Sequence, residues 1–146
     1  MRGTIKGVKR VSVFKRPFIC STLWTFQYSQ DNLYPSEQLS IGGYYTVRGF
    51  SSSFRGNKGA YARHECKIPL TFLNHRRLFG IFVALDGGIV GGGDSKVALM
   101  GASVGSEISY KTWQNKITLS TSLWSHPIME LLTSGVVVVV ECRVTF

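Results

Sequence analysis

Apolar and polar residues alternate along most of the chain with a period of two, the pattern of β-strands that have one apolar and one polar face. The clearest case is 98–111, where apolar side chains oppose glycines, serines and charged residues. Weaker forms of the same pattern mark 18–29, 60–70, 79–86, 116–123 and 136–146. No helical period competes over a useful length. The sequence therefore predicts an all-β protein of about six strands, each of roughly 10 residues.

The face composition indicates the kind of sheet. Strands of this length can cross a bilayer when they are tilted. Glycines and small polar residues on one face, with apolar and aromatic residues on the other, suit a barrel with a wet lumen. A soluble sandwich shows the same alternation, but its strands are usually shorter, about 5–6 residues. The pattern favours an antiparallel transmembrane β-barrel and leaves the sandwich as the alternative.

Two segments depart from the alternation. Residues 1–14 are basic and β-branched, and we expect no more than the end of a strand there. Residues 31–59 form a loop too long for a hairpin turn, and at its centre Arg48 lies between Val47 and Gly49. Ordering such a loop costs conformational entropy that packing must offset, so loops of this kind are usually functional.

The charge of the chain limits its partners without choosing one. The formal net charge is +9, from 17 Lys and Arg against 8 Asp and Glu. Such a balance suggests nucleic acid, an anionic membrane surface or an acidic protein. A nucleic-acid module usually gathers its charge on one face, whereas these cations are spread along the chain apart from a basic start. We expect no nucleic acid, and keep a small soluble basic β-module that binds nucleic acid or polyanions as the alternative function.

Chemically reactive residues form no convincing site. Cys20, Cys66 and Cys142 are far apart and odd in number, so no disulfide framework is implied and each is expected to be a small free hydrophobe. His64 and Cys66 share a strand face, but no second pair at metal spacing accompanies them. The glycine-rich stretch 91–96 lacks the order of a phosphate loop. With no nucleophile elbow and no paired carboxylates, we predict no enzyme, no metal and no cofactor.

Several motifs occur in one order along the chain: PSEQLSIGG at 35–43, VRGF at 47–50, GAYARHE at 59–65, ALDGGIV at 84–90 and LMGASVG at 99–105. Together they closely resemble the two-partner secretion transporters, the TpsB family of haemolysin-activator and haemagglutinin-exporter type. The resemblance implies the last strands, about six, of a sixteen-stranded barrel in the outer membrane of a Gram-negative bacterium. Its implied function is export of a large haemolysin- or adhesin-type partner protein.

The resemblance also assigns roles to residues. In this family the Val-Arg-Gly-Phe tip of the long loop folds into the lumen, where its arginine pairs with an acidic residue. Carried over, the tip residues are Val47, Arg48, Gly49 and Phe50. Asp86 is then the partner of Arg48 and Glu65 a second candidate, and strand phasing places both carboxylates on polar faces. The simpler alternative is a surface ion pair worth about 0–1 kcal/mol.

The remaining expectations concern assembly. Phe146 closes an alternating strand, and outer-membrane barrels resemble one another in ending on an aromatic residue that the barrel-assembly machinery reads. The alternative is a merely hydrophobic last residue. The implied partners are the exoprotein client, outer-membrane lipid and that machinery. Because the family's periplasmic domains and earlier strands are absent here, residues 1–146 are interpreted as the C-terminal segment of a transporter barrel, inactive by itself since bilayers do not tolerate open sheet edges.

Overall fold

In the residues described below, the regular structure consists of β-strands. The computed structural model describes residues 1–13, 16–71, 77–92, 95–110, 113–126 and 136–144. The strands in these ranges are β1 Arg2–Val13, β2 Arg16–Gln27, β3 Leu39–Ile41, β4 Phe54–Gly56, β5 Lys58–Thr71, β6 Arg77–Gly92, β7 Ser95–Tyr110, β8 Trp113–His126 and β9 Val136–Val144. Among the described residues, no helix has the length and hydropathy needed to span a membrane.

The seven long strands form one antiparallel sheet in the order β1-β2-β5-β6-β7-β8-β9. Strands β3 and β4 pair only with each other, as a short ribbon inside the connection between β2 and β5. Each long strand therefore pairs with the next long strand in the chain. Between β2 and β5, the chain first forms the connection that contains β3 and β4. The prediction of an all-β antiparallel architecture is confirmed.

The sheet has one long strand more than the sequence indicated, and that strand is β1. It pairs with β2 along its whole length, from Arg2 opposite Gln27 to Val13 opposite Arg16. Its alternation is interrupted by Val8, which lies in the phase of Lys6 and Arg10, and by Lys9, which lies in the phase of Ile5 and Val11. No apolar face can therefore be read from its sequence, and backbone pairing with β2, rather than a side-chain pattern, defines it as a strand.

The two faces of the sheet differ in burial as the alternation predicts. Along β6, side chains alternate from exposed Ile81 to buried Asp86, residue by residue. We call the covered face, which carries Phe82, Ala84 and Asp86, the inner face, and the opposite one the outer face. Exposed apolar side chains of the outer face include Val83, Leu85, Ile89, Val104, Ile108, Ile117, Leu119, Val138 and Val140. A continuous apolar surface of this kind marks contact with lipid or with another protein.

The hydrophobic core lies between the inner face and the connection of residues 28–57, which we call the loop. Its buried members are Leu39, Ile41, Val47 and Phe50 from the loop, with Val90 and Leu99 from β6 and β7. Full burial of a large apolar side chain contributes about 1.5–3 kcal/mol, which offsets the entropy cost of ordering the loop. In the described part of the chain, the inner face is covered by this loop, whose only strands are the two short ones of the β3–β4 ribbon, so the sandwich alternative does not hold.

Cys20 and Cys66 form a disulfide, and the prediction that all three cysteines are free was wrong. The two residues lie directly opposite each other on β2 and β5. Their pairing depends on strand register, which spacing along the sequence does not reveal. Cys142 is free, as expected, but it is exposed rather than buried.

Candidate functional site

Arg48 docks the loop onto the inner face through Asp86. Its Nε and Nη2 donate to Oδ2 and Oδ1 of Asp86, with 2.9 Å between Nη2 and Oδ1. The main-chain N–H of Arg48 donates to the same Oδ2 at 3.2 Å. Arg48 is only 1% exposed, and the Asp86 side chain is fully buried. The carboxylate therefore fixes both the side chain and the backbone of Arg48. Its two bonds with the guanidinium form the bidentate geometry that arginine allows.

The same guanidinium also reaches Glu65. Nη1 of Arg48 donates to Oε2 of Glu65 at 2.9 Å, so Arg48 spans β5 and β6. Burial by itself would lower the pKa of Arg48. The hydrogen bonds and charges of Asp86, and then of Glu65, outweigh burial and raise that pKa above its usual value. Arg48 is thus a permanent cation held between two carboxylates.

Lys116, on β8, is a second cation at Glu65. Its Nζ donates to Oε1 at 3.1 Å and to Oε2 at 3.2 Å. The same ammonium lies 4.1 Å from the centroid of the Phe82 ring, a cation–π distance. Sequence reasoning missed Lys116, although its place on the polar phase of β8 gave a signal that it faces the inner side.

Arg63, on β5, is a second cation at Asp86. The register places the two residues opposite each other, with 3.7 Å between Arg63 Nε and Asp86 Oδ1. Nη1 of Arg63 also donates to the main-chain oxygen of Tyr45 in the loop, at 2.8 Å. Arg63 therefore contacts both the carboxylate and the loop that docks on it.

The rest of the tip, residues 47–50, is held by close packing. Val47 and Phe50 are buried in the core. Gly88 makes room for the loop and for Tyr61 on β5, because a Cβ there would lie 2.9 Å from Tyr61 Cβ and 3.1 Å from the side chains of Ile41 and Val47. Gly49 has a φ of +90°, which favours glycine, and its α-carbon lies against the backbone of β8.

Two further sets of contacts hold the loop, one near its middle and one at its base. At the far side of the sheet, Tyr44 Oη donates to Oε2 of Glu141 on β9 at 3.3 Å. At the base, Oδ1 of buried Asn57 accepts from Leu33 N at 3.1 Å and from Gln38 Nε2 at 3.2 Å. The loop consequently crosses the inner face from β5 to β9. The sequence predicted the residues of the tip but not these hydrogen bonds of Tyr44 and Asn57.

The other residues singled out from the sequence lie apart from this site. Phe146 falls outside the described residues, so its role in assembly stays a prediction. Cys66 is in the disulfide, and Nδ1 of His64 lies 2.5 Å from Oγ1 of Thr22. Among the described residues, no three His, Cys, Asp or Glu side chains are grouped so as to hold a metal ion.

An antiparallel sheet with an apolar outer face, and a polar inner face that a loop covers, is the architecture of a membrane β-barrel wall. The family model of the haemolysin secretion/activation protein ShlB/FhaC/HecB matches residues 1–108, and the chain belongs to this family. It is a family of outer-membrane transporters of Gram-negative bacteria and not of enzymes. The expected family, fold and location are thereby confirmed, which disfavours the soluble basic module.

Individual relatives agree with the family. Outer membrane transporter CdiB of Escherichia coli O6:K15:H31 (strain 536 / UPEC) is 39% identical over 80 residues, covering 51% of this chain and 14% of that protein. CdiB of Dickeya dadantii (strain 3937) is 36% identical over 107 residues, covering 60% of this chain and 19% of that protein. These matches thus span less than a fifth of the length of either relative.

Solved structures show the same fold. CdiB from Escherichia coli superposes with a TM-score of 0.83 at 27% identity, covering 99% of this chain and 27% of that one. CdiB from Acinetobacter baumannii superposes with a TM-score of 0.82 at 20% identity, covering 98% of this chain and 26% of that one. The second likeness concerns the fold alone.

Proposed function

We propose that the chain forms part of the wall of an outer-membrane pore that exports a large partner protein of haemolysin or adhesin type. In this proposal the inner face lines the lumen, the outer face contacts lipid, and Arg48 clamps the loop in its transport-competent position. The ion pairs of Arg48 with Asp86 and Glu65 carry the proposal, since they join the loop to two strands of the wall.

The burial of the clamp supports a mechanical role. Water and salt screen a buried ion pair less than a surface pair, so this one interacts more strongly than the about 0–1 kcal/mol of a surface pair. Arg48 and Asp86 are both buried, so losing either would release much of the loop's electrostatic attachment. The loop crosses the face past which an unfolded client would travel. Controlling the position of the loop therefore controls the space that is open to the client.

We further propose that residues 1–146 act as the C-terminal segment of a larger barrel and do not transport by themselves. In the described part of the chain, the outer edges of β1 and β9 have no strand beside them. Hydrocarbon does not tolerate open edges, so a conducting pore requires additional strands to close the wall. Phe146 would then mark the chain for the barrel-assembly machinery.

Substitution of Arg48 tests the clamp. In the protein at its full natural length, Arg48→Ala is expected to abolish export of a co-expressed haemolysin- or adhesin-type exoprotein while outer-membrane insertion persists. Arg55→Ala is the matched control, because Arg55 lies in the same loop but is exposed. Export and membrane-fraction levels are compared by immunoblot. Normal export by Arg48→Ala would overturn the proposal.

A further inference from the structure

Glu65 is shared by two cations that belong to different parts of the molecule. Its Oε2 accepts from Nη1 of Arg48 in the loop at 2.9 Å and from Nζ of Lys116 in the sheet at 3.2 Å. The guanidinium and the ammonium are consequently held beside each other on one carboxylate oxygen. Like charges at such a separation repel, and a partly buried setting screens them less than water does.

The charges around the clamp balance differently with and without the loop. When the loop is docked, Arg48, Arg63 and Lys116 face Asp86 and Glu65, so cations exceed carboxylates by one. Without Arg48, each carboxylate keeps one cation on the sheet: Lys116 for Glu65 and Arg63 for Asp86. The wall is therefore neutral at this site after the loop leaves, and neither carboxylate is stranded.

Two nearby ion pairs do not change this balance. Glu107 and Glu141 lie directly opposite Lys116, on β7 and β9. Each of these carboxylates has a cation of its own, because Lys67 Nζ lies 2.7 Å from Oε2 of Glu107 and Arg143 Nη2 lies 3.4 Å from Oε1 of Glu141. Lys116 is held between Glu65 and the ring of Phe82, and its flexible stem lets it stay with Glu65 whether or not Arg48 is present.

We propose that Lys116 is a positioning residue that makes docking of the loop reversible. It weakens the docked state by repelling Arg48, and it stabilises the released state by neutralising Glu65. The inference rests on the proposed clamp, which it deepens by adding a residue that favours release. A wall that lacked Lys116 would hold the loop more tightly, because release would leave Glu65 without a counter-ion.

Distances between two spin labels can measure the docked and released populations. Cys142 is the free thiol, and it adjoins Glu141, which the loop contacts through Tyr44. Tyr45 is 74% exposed, so Tyr45→Cys supplies the second label without opening the core. The labelled protein at its full natural length is studied in detergent with the Cys20–Cys66 disulfide intact. A short distance reports the docked loop and a longer, broader one reports release.

The proposal gives Lys116 and Arg48 opposite effects. Lys116→Gln is expected to lower the released-to-docked ratio about two- to tenfold, whereas Arg48→Gln raises it. Lys116→Arg keeps the charge and is expected to stay near the parent ratio. Lys96→Gln is the control, because Lys96 is exposed near the start of β7 and belongs to none of the ion pairs of this site, and it should change nothing. If Lys116→Gln does not fold, Lys116→Met removes the same charge and gives the same expectation.

The outcomes separate the two proposals. If Arg48→Gln raises release and Lys116→Gln also raises it, or leaves it unchanged, Lys116 is only a structural strut and the inference is wrong. If Arg48→Gln leaves the ratio unchanged, the clamp itself is wrong and the inference falls with it. Opposite shifts in the two variants support both.

Discussion

Asp86 accepts three hydrogen bonds from one residue, Arg48: two from the guanidinium and one from its main-chain N–H. Both partners are buried. A single carboxylate thus positions the tip of a loop that lies 38 residues before it in the chain. The variants below use this dependence and the packing around it.

Asp86→Asn is expected to release the tip. The amide keeps the shape of the carboxylate, but it removes the charge and turns one of its two acceptors into a donor. Removing one partner of a buried pair costs about 3–5 kcal/mol. Phe50, which is 3% exposed, should then become a fast site for chymotrypsin, as judged on reducing gels. Asp31→Asn, at an exposed loop position, is the control. Equal cleavage of all three proteins would show that apolar packing alone holds the tip.

Gly88→Ala is expected to push the tip away from the sheet, whereas Gly87→Ala is not. A Cβ at Gly88 would lie 2.9 Å from Tyr61 Cβ on β5 and 3.1 Å from both Ile41 and Val47 in the loop. One at Gly87 meets nothing nearer than the main-chain oxygen of Leu99 at 3.8 Å. Overpacking of this kind costs about 1–3 kcal/mol. Denaturant unfolding in detergent measures the difference. Equal loss in the two variants would contradict the packing of the tip described above.

Comparison of Gly49→Ala with Gly43→Ala separates the destabilisation caused by backbone strain from that caused by steric contact with β8. The φ angles are +90° and +87°, so both variants force an alanine into the left-handed region, at a cost of about 1 kcal/mol or more. Gly43 has open space around it, whereas a Cβ at Gly49 would meet the backbone of Thr121. Unfolding midpoints should therefore fall further for Gly49→Ala. Similar midpoints would place the tip away from β8.

Thiol labelling under denaturing conditions tests the disulfide. Without reductant a maleimide should modify one cysteine, Cys142, and after reduction it should modify all three. Intact-mass spectrometry counts the adducts. In the Cys142→Ser variant the unreduced protein should take up no label. Three adducts on the unreduced parent protein would show that the Cys20–Cys66 bond is not formed.

Much of this architecture follows from local pattern. The period of two in β6 and β8 separates inner from outer side chains, because burial of one face constrains each residue in turn. The motif resemblance named Arg48, Asp86 and Glu65, and the structure brings these three side chains together.

The sequence does not convey the register between strands, and it does not reveal the full length of the charged edge strand β1. The disulfide requires Cys20 opposite Cys66, and the second cation of Asp86 requires Arg63 opposite it. Lys116 reaches Glu65 across two intervening strands. Such pairings depend on how strands align in space, a relation that no spacing along the chain encodes. The extent of β1 was missed because Val8 and Lys9 interrupt the alternation of its apolar and polar residues.

The Cys20–Cys66 bond joins residues 46 apart and so closes a covalent ring that contains the whole loop. A proteolytic cut within the loop would leave both fragments attached to the same sheet. The severed tip would keep an effective concentration near Asp86 of the millimolar order typical of short tethers. Redocking would then remain an intramolecular event even in a nicked protein, and damage to the loop would become visible only after reduction.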